Sequence, residues 1–211
     1  GLLSANGRIF VINPNGVLVG ATGRVETNGF MASTLNLLDQ DFIDGNYTFF
    51  QDLNKPLSSI VNKGIVDGGE FVSLIAPGVQ IYFDPGVSLV VEGDFLAMGT
   101  AGARIGLSTY FSADTWAGVT FDATGSSHVR RMEHTDVTRA VTGVVAHPSP
   151  ALLDNCTFTD CQAGLDLQDI PRDASSFTSL SFQNCAMGIA GVSASPRIAG
   201  SEWTGCTDGA R

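Results

Sequence analysis

One short pattern returns at a nearly fixed distance and constrains everything else. Phe158-x-x-Cys161-x-x-Gly164-Leu165 recurs as Phe182-x-x-Cys185-x-x-Gly188-Ile189 and as Trp203-x-x-Cys206-x-x-Gly209-Ala210, at offsets of 24 and 21 residues. Val137-x-x-Ala140-x-x-Gly143-Val144 fits the same template 21 residues earlier, with smaller apolar residues in place of the aromatic and the thiol. Two-helix repeats need about 33 residues or more, so a period this short leaves leucine-rich repeats and β-helix coils. The leucine-rich pattern is missing. Segments such as Gly188-Ile189-Ala190-Gly191-Val192 are short and partly alternating, as expected of strands of about three to five residues separated by turns. The expectation is an all-β protein, a right-handed single-stranded parallel β-helix of about nine coils stacked at ~4.8 Å, each coil sealing its neighbour's backbone.

The first half repeats more loosely. Gly16-Val17-Leu18-Val19, Gly64-Ile65-Val66, Gly78-Val79-Gln80-Ile81-Tyr82-Phe83 and Gly86-Val87-Ser88-Leu89-Val90-Val91 each set a short apolar, mostly β-branched run behind a glycine. Asn15, Lys63, Pro77 and Pro85 precede those glycines, so several are expected to be Asn-Gly or Pro-Gly turns in which Gly supplies positive φ. The clearest is Asn13-Pro14-Asn15-Gly16, a tight turn between stacked strands in which Pro14 fixes φ. Trp116-Ala117-Gly118-Val119-Thr120-Phe121 alternates like a further coil. Residues 33–59 break the rhythm with Asp39, Asp41, Asp44 and Asp52 set among Phe42, Tyr47, Phe49 and Phe50. This stretch reads as an insertion folded on the side of the rod, its aromatics covering an apolar face. The spacing of an EF-hand calcium loop is absent. The whole divides into residues 1–84 with the insertion and residues 85–211 of continuing repeats, one solenoid. Gly1 opens inside a strand region and Arg211 stops after a repeat landmark, as expected of an excerpt from a longer chain.

The repeat positions are core positions. Phe158, Phe182 and Trp203 should stack inward beside a second ladder of Cys161, Cys185 and Cys206, with Cys156 on a neighbouring inward position. In-register parallel strands hold equivalent Cβ atoms about 4.8 Å apart with parallel Cα–Cβ vectors, which does not suit a disulfide. Four free, buried thiols are expected.

Charge and chemistry narrow the function. With 21 acidic against 11 basic side chains the net charge is −10, which repels nucleic acid and anionic membrane surfaces. No apolar run approaches the about 18 residues of a membrane span. A polysaccharide lyase or glycoside hydrolase on a β-helix is the enzymatic alternative, and Asp136, Asp160, Asp166 and Arg130 are its best residues. In the repeat frame they need not share a face. His128, His134 and His147 match no zinc spacing, the cysteines form no paired Cys-x-x-Cys motifs, and no cofactor fingerprint is present. No catalytic residue, metal or cofactor is expected.

One stretch is more specific. Asn6-Gly7-Arg8-Ile9-Phe10-Val11-Ile12-Asn13-Pro14-Asn15-Gly16-Val17-Leu18-Val19-Gly20, then Met31-Ala32-Ser33-Thr34-Leu35, Gly45-Asn46-Tyr47-Thr48-Phe49, Ile60-Val61-Asn62-Lys63-Gly64 and Leu74-Ile75-Ala76-Pro77, resembles the filamentous haemagglutinin N-terminal domain of two-partner-secreted exoproteins. The resemblance covers about residues 5–80, with Val17 where the family usually has Ile. It implies a Gram-negative exoprotein with a right-handed β-helix fold, recognised while unfolded by a dedicated outer-membrane transporter. Asn13, Pro14, Asn15 and Gly16 are then the secretion-motif turn. The family's members serve as adhesins, haemagglutinins, cytolysins or contact-dependent toxins, the last two through downstream regions, and the resemblance implies an adhesin or haemagglutinin role at the cell surface, with a host glycan or protein receptor as a further partner.

Overall fold

The computed structural model describes residues 1–56, 58, 60–75, 80–122, 128–148, 151–170 and 175–210. Ser59, the Pro77-Gly78-Val79 turn and Arg211 lie outside the described residues. The chain winds into a parallel β-helix with three faces. The first face is an eight-stranded sheet running from Leu2–Ile12 through Arg24–Ser33, Ile65–Ile75, Asp94–Met98, Arg130–Glu133, Leu152–Asp154 and Ser176–Thr178 to Arg197–Ala199. The second, also eight-stranded, runs from Val17–Val19 to Glu202–Thr204, and the third has six strands from Ser88–Val91 to Asp208–Ala210. The ladders are parallel and in register, so equivalent residues of successive coils fall in columns.

Alternation sorts each column inward or outward. On the second face Val137, Phe158, Phe182 and Trp203 share one column. On the third, Leu89, Val119, Val144, Leu165, Ile189 and Ala210 share another. Phe158 and Phe182 stack with centroids 5.2 Å apart and planes 12° apart, and Phe182 stacks on Trp203 at 5.7 Å and 12°. Each ring lies over the glycine of the preceding coil. A Cβ on Gly143 would come within 2.5 Å of the Phe158 ring, and one on Gly164 within 2.5 Å of the Phe182 ring. The aromatic and the glycine of the repeat are thus one packing unit, split between adjacent coils.

From residue 134 onward two of the three corners are made by single residues in the left-handed conformation. His134, Asn155, Ser179 and Gly200 turn the first face into the second, with φ of 45°, 51°, 53° and 63°. Arg139, Asp160, Asn184 and Gly205 turn the second into the third, with φ of 55°, 56°, 54° and 67°. Asn and Asp tolerate this region better than other side chains. The corner N–H groups donate to the next coil, as from Asn155 to the Thr178 carbonyl at 3.0 Å and from Asp160 to the Gln183 carbonyl at 3.0 Å. The ladder therefore continues around the corners.

The first coils are built differently. Their first-face strands run 11, 10 and 11 residues rather than three to five, because each continues around the corner from the third face to the first. The ladders shift register between Ala5 and Arg8 and between Thr27 and Gly29, bulges that let one strand serve two faces. Gly64 has no positive φ; its hydrogen is needed because a Cβ would strike the Gly23 carbonyl of the coil above. Gly86, at φ 74°, is a turn glycine.

Candidate functional site

The N-terminal coils carry the most specific motif. Pro14 and Asn15 form the tip of a turn closed by the Gly16 N–H donating to the Asn13 carbonyl at 3.0 Å. The Asn13 side chain reinforces it: its Oδ1 accepts from the Asn15 N–H at 3.0 Å and its Nδ2 donates to the Gly16 carbonyl at 2.8 Å. Gly16 sits at φ 108°, where a side chain is strained. The turn joins Leu2–Ile12 to Val17–Val19, consecutive strands on different faces, not strands stacked on one another. Its tie to the neighbouring coil is backbone, from the Asn13 N–H to the Ser33 carbonyl at 2.9 Å.

Against this turn lies the segment between Ser33 and Ile60. It is closed by a two-residue antiparallel bridge, Asn36 with Phe50, whose N–H groups donate to each other's carbonyls at 2.8 and 3.0 Å. A short helix, Asp39–Ile43, brings Phe42 edge-on to Phe10 at 5.3 Å, and Tyr47 packs on Phe10 at 5.2 Å. The Ser58 hydroxyl donates to the Pro14 carbonyl. The aspartates serve the segment's own loops: Asp44 accepts from Gln40 at 2.9 Å, and Asp52 accepts from the Asn54 backbone at 3.0 Å and side chain at 3.2 Å. Among the described residues no three His, Cys, Asp or Glu side chains are placed to hold a metal ion.

The residues weighed for glycan cleavage are scattered. Asp136, on the second face, pairs with Arg104 at 2.7 Å, and that hydrogen bond raises the Arg104 pKa. Asp160 occupies a corner, and Asp166 accepts from Gln168 at 2.9 Å on the third face. Arg130 points inward, 1% exposed, in the column of Phe30, Val72 and Phe95, with no hydrogen-bond acceptor among the described residues. Burial lowers its pKa, opposed by Asp94. His128 lies 3.3 Å from Asp94 and His147 3.2 Å from Asp169, while His134 is a corner residue. No two of Asp136, Asp160, Asp166 and Arg130 meet.

The thiols line the corners. Cys161, Cys185 and Cys206 each follow a left-handed residue, and their S–H groups point at carbonyls of an earlier strand: Val137 at 3.8 Å, Phe158 at 3.5 Å and Phe182 at 3.5 Å. Cys156 contacts the Met132 carbonyl at 3.5 Å. All four are free. Three are buried, but Cys206 is only half-buried and Trp203 is 39% exposed, because no further coil covers them here. Burial pushes the Cys156 thiol up to about 12, and Cys161 is raised first by its own hydrogen bond with Cys185 and then by burial.

Three parallel sheets wound about an apolar interior, with dispersed outer charges, define a β-helical scaffold. A family model for the TPS secretion domain matches residues 1–130, past the stretch where the local motifs end, and the chain belongs to that family. It is an exoprotein of the two-partner secretion type, with a dedicated outer-membrane transporter as its partner, in a family of secreted scaffolds and not of known enzymes. No curated protein and no solved structure matches the chain. Among the described residues no helix is long and apolar enough to cross a membrane.

Proposed function

We propose that the chain is the leading part of an adhesin of the haemagglutinin type, displayed at the surface of a Gram-negative cell and presenting its rod to a host glycan or protein receptor. The observation that carries this is the combination of a secretion-domain match over residues 1–130 with continuation of the same three sheets to residue 210. A rod extended coil by coil is a spacer as well as a secretion signal, since each repeat needs only its neighbours for stability. Within it, Asn13, Pro14, Asn15 and Gly16 act first in folding, by fixing the entry from the first face to the second. The transporter meets them before they fold.

The test has two arms. Co-expressed with its transporter in a Gram-negative host, the chain should reach the medium only when the transporter is present, and Asn13→Ala with Asn15→Ala should lower the secreted amount. Beads coated with the secreted rod should then bind host cells or an immobilised glycan array. Normal secretion of the double variant with an unchanged melting temperature would remove the role of the turn. Beads that bind neither cells nor glycans while the parent exoprotein does would move adhesion outside this segment.

A further inference from the structure

We infer that a break in the third face is a docking cleft for a lysine- or arginine-bearing extended segment of another polypeptide. The six-stranded third sheet begins at Ser88–Val91, which among the described residues forms a ladder with Gly118–Phe121 alone. The preceding coil covers this face with the first part of the bent strand Ile65–Ile75, which belongs to the first-face sheet and forms no ladder with Ser88–Val91. A cleft of about 440 Å³ opens between them. That lies within the ~300–1,000 Å³ typical of ligand pockets.

Three features define what fits. The first is an unpaired backbone edge. Val87 and Val91 accept from Ala117 and Asp122 at 2.9 and 3.1 Å, so these residues face the sheet, and the alternation of the strand turns the N–H and C=O groups of Ser88 and Val90 to the break. The second is apolar: Ile65 and Val90, 50% and 39% exposed, line the cleft with Val66 and Val87. The third is charge. Asp67 and Glu92 belong to the same lining, both exposed, and neither has an ion pair or hydrogen bond among the described residues. An aliphatic stem ending in a cation satisfies the second and third together, as lysine and arginine side chains do when the stem lies on apolar surface and the head reaches a charge. An extended backbone satisfies the first. The net charge of −10 steers such a partner in and an acidic one away.

The experiment titrates isotope-labelled protein with the peptide acetyl-Val-Lys-Val-Lys-Val-amide, its glutamate counterpart, and n-butylammonium as the isolated side-chain head. The expected result is saturable shifts of the amides of residues 65–67 and 86–92 with the lysine peptide. Its affinity should fall at least tenfold in the Asp67→Asn, Glu92→Gln double variant and stay unchanged in the charge-matched Asp39→Asn, Asp41→Asn control. Equal binding of the glutamate peptide, or unchanged affinity in the Asp67→Asn, Glu92→Gln variant, overturns the inference. If n-butylammonium shifts the same amides at the same concentration as the lysine peptide, the cleft is a small-cation pocket and the polypeptide partner is wrong. Should the double variant melt early, the three ligands on the unmodified protein still decide.

Discussion

The coils before residue 76 and those after residue 128 reach the same cross-section by different means. The early ones rely on long strands bent by bulges, so that one backbone serves two faces and an apron of chain between Ser33 and Ile60 packs outside. The later ones use strands of three to six residues that meet at single left-handed corners, with stacked rings and thiols inside. Among the described residues, all the non-glycine positive-φ positions lie in the later region. Both regions bury apolar columns, but only the late ones stack rings and thiols over single-residue corners. A substitution inside a column should therefore cost far more than one in the apron.

The sharpest way to break that contrast is Phe182→Ala. It removes the middle ring of the Phe158, Phe182, Trp203 stack and should cost about 3 to 5 kcal/mol in urea unfolding. Phe42→Ala on the apron should cost about 1 kcal/mol, the scale of one exposed aromatic contact. Equal losses would abolish the distinction. Through the thiols, alkali should act on the later coils, because all four lie there. The Cys156 thiol is raised from 9.0 to about 12 in the folded chain, so its contribution is intact below pH 9 and is lost as pH climbs through 12. The unfolded chain gains about 3 to 4 kcal/mol from ionising that one thiol by pH 12. Amide protection factors, corrected for the base-catalysed intrinsic rate and followed from pH 8 to 11, should fall first around residues 156 and 161, and a uniform fall would contradict this.

Smaller effects refine the picture. Gly164→Ala drives a methyl into the Phe182 ring and should destabilise by about 1 to 3 kcal/mol, with partial recovery when Phe182→Leu is added, a coupling readable in a double-mutant cycle. Asn13→Ala removes two side-chain contacts of an exposed turn and should cost about 1 kcal/mol by thermal melting. Asp136→Asn, which breaks a partly exposed pair with Arg104, should change stability by about 1 kcal/mol or less, and salt should shrink the difference.

Much of this was legible from spacing alone. The Phe, Cys and Gly offsets expose the coil because stacking forces equivalent residues into columns. The reason for the glycine was not legible: it depends on a ring in the following coil, and no local pattern joins Gly164 to Phe182. The corners were also missed, although Asn155, Ser179 and Gly200, and Asp160, Asn184 and Gly205, recur at the repeat offsets and are residue types suited to tight turns. The role of Gly64 was not legible either, because a glycine required by close backbone approach looks in sequence like one required by a turn. The long early strands were not legible, because nothing in a Gly68-Gly69 pair tells a bulge inside one strand from a turn between two. The third-face break left no sequence signal, since whether two strands form a ladder depends on how the coil before each one ends.

The corner residues also fix where this rod can change length. Each first corner precedes the second by five residues, as His134 precedes Arg139, Asn155 precedes Asp160, Ser179 precedes Asn184 and Gly200 precedes Gly205. The glycine of the third face always follows four residues later, at Gly143, Gly164, Gly188 and Gly209. The longer repeat takes up its extra residues after this fixed stretch, between Asp169 and Ser176. Two edges of the prism are thus locked in length, because one added residue there would turn every following side chain inside out. In the later coils the third edge is the one whose length differs between repeats, so it is where an engineer can graft an epitope or a label without disturbing the winding.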